Sequence, residues 1–247
     1  MQFDRVHPSH QGPNTVAMMR VQVAKMILET GYRRVLDLPC GSGALTQLLV
    51  DGGVEVVSAD LHPAGFVIPG RSCVCADLNA KLPFSDGEFD AMACIEGVEH
   101  IENPHLLVRE ANRILRKGGG FYISTPNVLS LRSRLSYLLR GYPDQFHYMV
   151  EVDSGTGEEQ PISHINPIGF LELRYVLSRW GFRVDAVRTN RILKRRSMFQ
   201  QMLRLLLRTR GQRAAATHPL IAKVRGQLLS DEVLFGEGLI VVACKIS

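Results

Sequence analysis

Apolar positions along this chain follow two rhythms. From Asn14 to Thr30, Val16, Met19, Val23, Met26 and Ile27 recur at three- and four-residue intervals, which predicts a helix closed by Gly31. Arg34–Leu38 is instead a continuous apolar run, followed by a tight turn at Gly41–Gly43 and a helix over Ala44–Asp51. Val54–Ala59, Ser72–Ala76, Phe89–Cys94 and Phe121–Thr125 are further short apolar runs, and His105–Leu115 reads as a helix ended by Arg116-Lys117-Gly118-Gly119-Gly120. Pro167–Gly181 carries Phe170, Leu173, Leu177 and Trp180 on one side of another helix. Phe182–Val187 and Leu239–Cys244 read as two last strands at an antiparallel end of the sheet. Unbroken apolar strands alternating with helices predict an α/β fold: a doubly wound sheet buried on both faces, in one domain over residues 1–247. The stretch 126–161 is irregular and polar with mixed aromatics, and reads either as a substrate lid or as an ordinary surface excursion.

Composition narrows the class. With 247 residues, 45% hydrophobic and 21% charged, the chain has enough apolar surface for one substantial core. No apolar run approaches the roughly 18 residues needed to span a bilayer. Met1–His10 is polar and lacks a basic segment followed by an apolar one, so no secretion signal is expected. Five cysteines, Cys40, Cys73, Cys75, Cys94 and Cys244, without zinc-type spacing predict reduced thiols in a cytoplasmic protein. The net charge of +5 conceals an asymmetry: Arg183–Arg225 holds twelve Lys/Arg and one acid, Asp185. Such a block points to a phosphate-bearing partner, nucleic acid or an anionic membrane.

The segment Val35-Leu36-Asp37-Leu38-Pro39-Cys40-Gly41-Ser42-Gly43 carries the candidate chemistry. A buried strand delivers a carboxylate and two glycines at its C-terminal end, where doubly wound sheets bind ligands. The dinucleotide fingerprint fails, because its third glycine position is Thr46. The second strand ends at Asp60, placed to accept both ribose hydroxyls of an adenosine, and the third at Asp77, within reach of an adenine amino group. Taken singly, Asp37 also reads as a helix-capping carboxylate and Asp77 as a turn former.

In these pieces the sequence resembles the class I S-adenosylmethionine-dependent methyltransferases, in the branch of ubiquinone and bacterial glycan O-methyltransferases. Four motifs match in order: Leu36–Gly43, Ser58-Ala59-Asp60, Leu82-Pro83-Phe84-Ser85-Asp86-Gly87-Glu88-Phe89-Asp90 and Leu115-Arg116-Lys117-Gly118-Gly119-Gly120. Pro39 departs from the family's usual Gly or Ala and removes one loop N–H, and the basic turn before Gly118 lacks the usual proline. The resemblance implies a seven-stranded sheet of order 3-2-1-4-5-7-6. It implies a cofactor, S-adenosylmethionine, bound by the loop that holds Gly43, with Asp37 and Gly41 at its methionine end and Asp60 and Leu61 on ribose and adenine. Asp77 and Leu78 would flank the adenine, and Ile95 would close over the cofactor.

After the fourth strand comes Ile95-Glu96-Gly97-Val98-Glu99-His100. Glu96, Glu99 and His100 fall at i, i+3 and i+4, so one helical turn would place them on one side. Two carboxylates and an imidazole suit Mg²⁺ or Mn²⁺. The pattern is similar to that of small-RNA 2′-O-methyltransferases and ubiquinone O-methyltransferases, where such residues bind metal; His164 is the candidate further ligand, with His147 second. Three readings stand side by side: a metal site of Glu96, Glu99, His100 and His164; His100 or His164 as a general base; or a structural role only.

The last two strands are separated by roughly fifty residues, Thr189–Gly238. Within them Met198, Phe199, Met202, Leu203 and Leu206 form an apolar stripe, with Arg195, Arg204 and Arg208 elsewhere on the wheel, and Pro219–Leu229 is a second apolar-basic stretch. A basic amphipathic helix suits an anionic membrane interface, and equally a helical pair packed on the core or in a homodimer. The scarcity of stacking aromatics argues against nucleic acid. The expected activity is therefore methyl transfer from S-adenosylmethionine to a hydroxyl of a saccharide or lipid-linked small molecule, near the cytoplasmic membrane face, releasing S-adenosylhomocysteine. A quinone-ring hydroxyl, an RNA 2′-hydroxyl and a non-catalytic cofactor-binding scaffold are the rivals.

Overall fold

A computed structural model describes residues 13–146, 151–153, 155–160, 163–192, 202 and 218–247. Seven strands form one sheet: β1 (Arg34–Asp37), β2 (Glu55–Asp60), β3 (Cys73–Cys75), β4 (Phe89–Ile95), β5 (Leu115–Pro126), β8 (Phe182–Arg188) and β9 (Gly238–Lys245). Their order is β3-β2-β1-β4-β5-β9-β8. The expected order 3-2-1-4-5-7-6 is thus borne out. The first five strands run parallel, and β9 enters antiparallel between β5 and β8.

Side chains alternate across the sheet and create two apolar layers. Val35, Ala91, Ala93, Ile95 and Tyr122 face α1 (Pro13–Leu28) and α2 (Ala44–Asp51), which contribute Met19, Val23, Ile27, Leu45 and Leu49. Leu36, Met92, Cys94, Phe121 and Ile123 face the opposite way, against α3 (Pro104–Ile114) and α5 (Phe170–Arg179). Each large side chain buried here contributes about 1.5–3 kcal/mol. The layers fix the sheet rigidly, and the C-terminal ends of β1, β2 and β4 converge on one rim.

The stretch 126–161, read as irregular, holds a ten-residue helix α4 (Leu131–Arg140), capped by the Ser130 hydroxyl on the Ser133 N–H and closed by Gly141 at φ 83°. It also holds a hairpin of β6 (Glu151–Val152) and β7 (Glu159–Gln160). After the basic stretch come α6 (Pro219–Leu228) and α7 (Asp231–Phe235). The helical stripe placed at Met198–Leu206 lies, apart from Met202, outside the described residues, as does His147. No helix among the described residues is long and apolar enough to cross a membrane.

Candidate active site

β1 delivers Asp37 to the rim, and the chain turns through a cis Leu38–Pro39 peptide into the glycine loop. Gly41 and Gly43 have φ of 52° and 92°, the left-handed region that glycine enters without Cβ strain. At Gly43 space is also decisive: a Cβ would lie 2.5 Å from Ile68 Cγ1 and 2.6 Å from Phe66 Cε2. A Cβ on Gly41 would meet nothing within 4 Å, so this glycine borders an open crevice.

Asp60 sits beside it. Its Oδ2 accepts the Gly41 N–H at 2.9 Å and its Oδ1 the His62 N–H at 2.9 Å. These bonds fix a half-buried carboxylate beside the open space at Gly41 and leave each oxygen a second lone pair. Asp37 is fully buried; the Thr46 hydroxyl donates to its Oδ2 at 2.7 Å and lies 2.8 Å from Ser58 Oγ. Burial pushes the Asp37 carboxyl up to about 7, against the Thr46 hydrogen bond and the field of Arg20. β3 stops at Cys75, two residues before the expected end at Asp77, and Asp77 accepts the Asn79 N–H at 2.8 Å, the bond of a turn-forming carboxylate. Leu78 is buried, Leu61 is exposed, and Ile95 packs in the layer beneath α1 and α2.

The second cluster lies where β4 and β5 end. Glu96, Glu99 and His100 do not share one helical turn, which corrects the periodicity reading. Glu96 has φ 52°, and only Val98–His100 coil, as a short 3₁₀ turn. The Glu96 N–H points at Ser124 Oγ, 3.0 Å away, and the Ser124 hydroxyl donates to Glu96 Oε1 at 2.8 Å. Glu99 is completely buried. No hydrogen bond of normal geometry reaches either of its carboxylate oxygens among the described residues, although the Thr125 hydroxyl and Glu96 lie alongside. Burial, then the charge of Glu96, raises its pKa well above the carboxylate range. The Glu99 carbonyl accepts the Ile165 and Asn166 N–H groups, both at 3.0 Å, which pins the 163–168 segment over the turn.

That segment completes the cluster. His100 Nδ1 lies 2.7 Å from the Ser163 carbonyl. A carbonyl only accepts, so Nδ1 carries a proton, and Nε2 lies 4.0 Å from Glu99 Oε1. His164 packs edge-on against His100 at 4.8 Å between ring centroids and against Phe146 at 5.6 Å. One ligand-type atom from each of Glu99, His100 and His164 falls within 4.8 Å of the others. Glu96, the fourth expected ligand, is held on Ser124 instead.

Residues 36–123, from β1 through most of β5, match the methyltransferase domain family. Over this segment the chain is similar to methyltransferase domains. The chain is 31% identical over 121 residues to a ubiquinone biosynthesis O-methyltransferase of Xanthomonas euvesicatoria, covering 44% of this chain and 49% of that protein. It is 32% identical over 119 residues to the Chromobacterium violaceum protein of the same description, covering 43% and 48%. The chain therefore spans about half the length of the curated relatives it matches. The fold extends further. A methyltransferase structure from Archaeoglobus fulgidus superposes with a TM-score of 0.61 over 96% of this chain and 97% of that one, at 18% identity. One from Bacillus halodurans gives 0.56 over 92% and 99%, also at 18% identity.

The methyltransferase match contains Asp37, Gly41, Gly43, Asp60, Asp77, Leu78, Glu96, Glu99 and His100, but ends before His164 and α4. Sequence reasoning missed Ser124, Ser163 and Phe146 as partners of the second cluster. Ser163 orients His100 through its backbone carbonyl, which no side-chain pattern reveals. Thr46, which in the sequence marks only the failed dinucleotide fingerprint, is the side chain that anchors Asp37.

Proposed function

We propose that the chain transfers a methyl group from S-adenosylmethionine to a hydroxyl acceptor. The observation that carries this reading is the position of two sites on one rim. The Asp37–Gly41–Asp60 crevice ends β1 and β2, and the Glu99–His100–His164 cluster follows β4. In this reading Asp60 receives the ribose hydroxyls and Asp37 faces the cationic methionine end. Leu61, Asp77 and Leu78 border the adenine, and Ile95 backs the crevice from the core. The acceptor hydroxyl sits against His100 Nε2, which takes its proton. The acceptor oxygen then attacks the methyl carbon in line with the sulfonium, the C–S bond breaks, and S-adenosylhomocysteine and a methyl ether leave.

Glu99, His100 and His164 also fit a divalent cation. A buried carboxylate lacking well-formed hydrogen bonds and two imidazoles form an acceptor-rich set, and the Ser163 carbonyl orients His100 as metal-bound histidines usually are. Imidazole nitrogens favour Mn²⁺ over Mg²⁺ in such a set. A cation there would lower the pKa of the acceptor hydroxyl.

The acceptor class is proposed as a saccharide or lipid-linked hydroxyl. The named activity of the curated relatives keeps a quinone-ring hydroxyl as the second reading. Assays with labelled S-adenosylmethionine on both acceptor classes decide between them. Asp60→Ala should raise the Kd for the cofactor about 100-fold, from two charge-assisted hydrogen bonds of about 1.5 kcal/mol each. His100→Gln should keep cofactor affinity and lose at least about 100-fold in turnover. Unchanged turnover in His100→Gln, with an acceptor in hand, would refute the base. Failure to bind the cofactor at all would refute methyl transfer, and binding without turnover on either acceptor class would favour the non-catalytic cofactor-binding scaffold.

A further inference from the structure

α4 is folded inside out for a helix on a globular protein. It buries Ser133 and Ser136, whose hydroxyls bond the following loop at the Asp144 N–H and the Tyr142 carbonyl. Its large apolar side chains face solvent instead: Leu138 is 79% exposed, Leu139 72%, Tyr137 61% and Leu135 51%. An amphipathic helix ordinarily turns that stripe inward. α6 buries none of its residues and exposes Leu220 and Ile221. Both helices pack on α7, so they share one end of the molecule.

Charge follows the same division. α4 carries Arg132, Arg134 and Arg140, α6 carries Lys223 and Arg225, and neither contains an acid. Arg132 pairs with Asp144 just beyond its helix, the half-buried Arg134 donates to the Leu129 carbonyl at 2.8 Å, and Arg140 and Lys223 are exposed; Asp231 and Glu232 begin α7. The sequence from Thr189 to Ser230, which includes α6, holds ten Lys/Arg and no acid.

We propose that α4 and α6 form a docking surface for an anionic lipid bilayer. Guanidinium and ammonium groups pair with lipid phosphates while Leu135, Leu138, Leu139, Leu220 and Ile221 enter the boundary between headgroups and acyl chains. Nucleic acid satisfies the cations but leaves these aliphatic side chains in water. A two-fold pairing of chains through this face sets like charges against each other. The surface also adjoins the candidate site. α4 follows β5, whose Ser124 holds Glu96, and Phe146, just beyond α4, packs on His164. The bilayer contact needs no particular methyl acceptor, and it favours the lipid-linked class proposed above.

The test is co-sedimentation of the full chain with vesicles of phosphatidylglycerol and phosphatidylcholine, against phosphatidylcholine alone. The expected result is binding to the anionic vesicles at least about tenfold tighter than to the neutral ones, and weakened by salt. Leu138→Glu/Leu139→Glu should lower that binding at least about tenfold, and Arg140→Glu/Lys223→Glu should do the same. The sites are exposed, so both variants should keep their melting temperature and their affinity for S-adenosylhomocysteine. Absence of binding to anionic vesicles would overturn the proposal. So would undiminished binding by Leu138→Glu/Leu139→Glu, or concentration-dependent dimerisation lost in that variant without vesicle binding. Calorimetry with S-adenosylhomocysteine is blind to lipid, so this inference and the methyl-transfer reading fail separately.

Discussion

Replacing Asp37 with Asn should abolish a proton release that accompanies cofactor binding. In the ligand-free chain, burial raises the Asp37 carboxyl to about 7, and the Thr46 hydrogen bond does not offset it. At pH 6 about nine-tenths of the molecules then carry the proton. The methionine end of S-adenosylmethionine is cationic at its sulfonium, and it binds the carboxylate form best. Binding at pH 6 therefore expels about 0.9 proton, falling to about 0.1 at pH 8, and the Kd weakens about tenfold per pH unit below 7, or about 1.4 kcal/mol. Calorimetry in two buffers of different ionisation heat reads the proton count directly. The same group links stability to pH. Its folded pKa is raised above the unfolded value of 3.8, so the folded state holds the proton to higher pH. The contribution of Asp37 to ligand-free stability is fully present below about pH 4 and is lost, by about 4 kcal/mol, as pH climbs to about 7. Asp37→Asn should abolish the proton release and remove this component of the stability profile. Zero proton release at pH 6, or the same release in Asp37→Asn, would refute the reasoning.

Three further outcomes follow from the same geometry. Gly43→Ala places a Cβ against Ile68 and Phe66 at φ 92°, and should cost about 1–3 kcal/mol in thermal unfolding and weaken the cofactor measurably in titration. Asn127 donates through Nδ2 to the carbonyls of Glu232, Val233 and Gly236 at 3.2, 3.0 and 3.0 Å, so Asn127→Ala should lower stability by about 1–3 kcal/mol in urea unfolding. Mn²⁺ titrated into the intact chain should bind with an affinity lost in Glu99→Gln and His164→Ala but retained in Glu96→Gln; equal affinity in all four proteins would remove the cation site.

The sheet was legible because its strands are short apolar runs bounded by turn residues, and runs as short as Val35–Asp37 and Phe89–Cys94 favour strand over a buried helix. The crevice was legible for the same reason: Asp37 and Asp60 close strands, so their placement follows from the sheet. α4 was less visible, because its apolar residues face outward and its seat on the core is Ser133 and Ser136, although the Ser130 cap and Gly141 stop stand in the sequence. The Glu96–His100 turn misled periodicity, since Gly97 and the positive φ of Glu96 break the helix that i, i+3, i+4 spacing presumes. The pairing of His100 with the Ser163 carbonyl depends on a contact 63 positions away.

The claim on which the functional reading rests is that the Asp37–Gly41–Asp60 crevice holds an adenosyl cofactor. Titration of the intact chain with S-adenosylhomocysteine should give one-to-one, saturable heat that disappears in Asp60→Ala while that variant remains folded. A flat titration with folded, unmodified protein, or the same heat from Asp60→Ala, would contradict it.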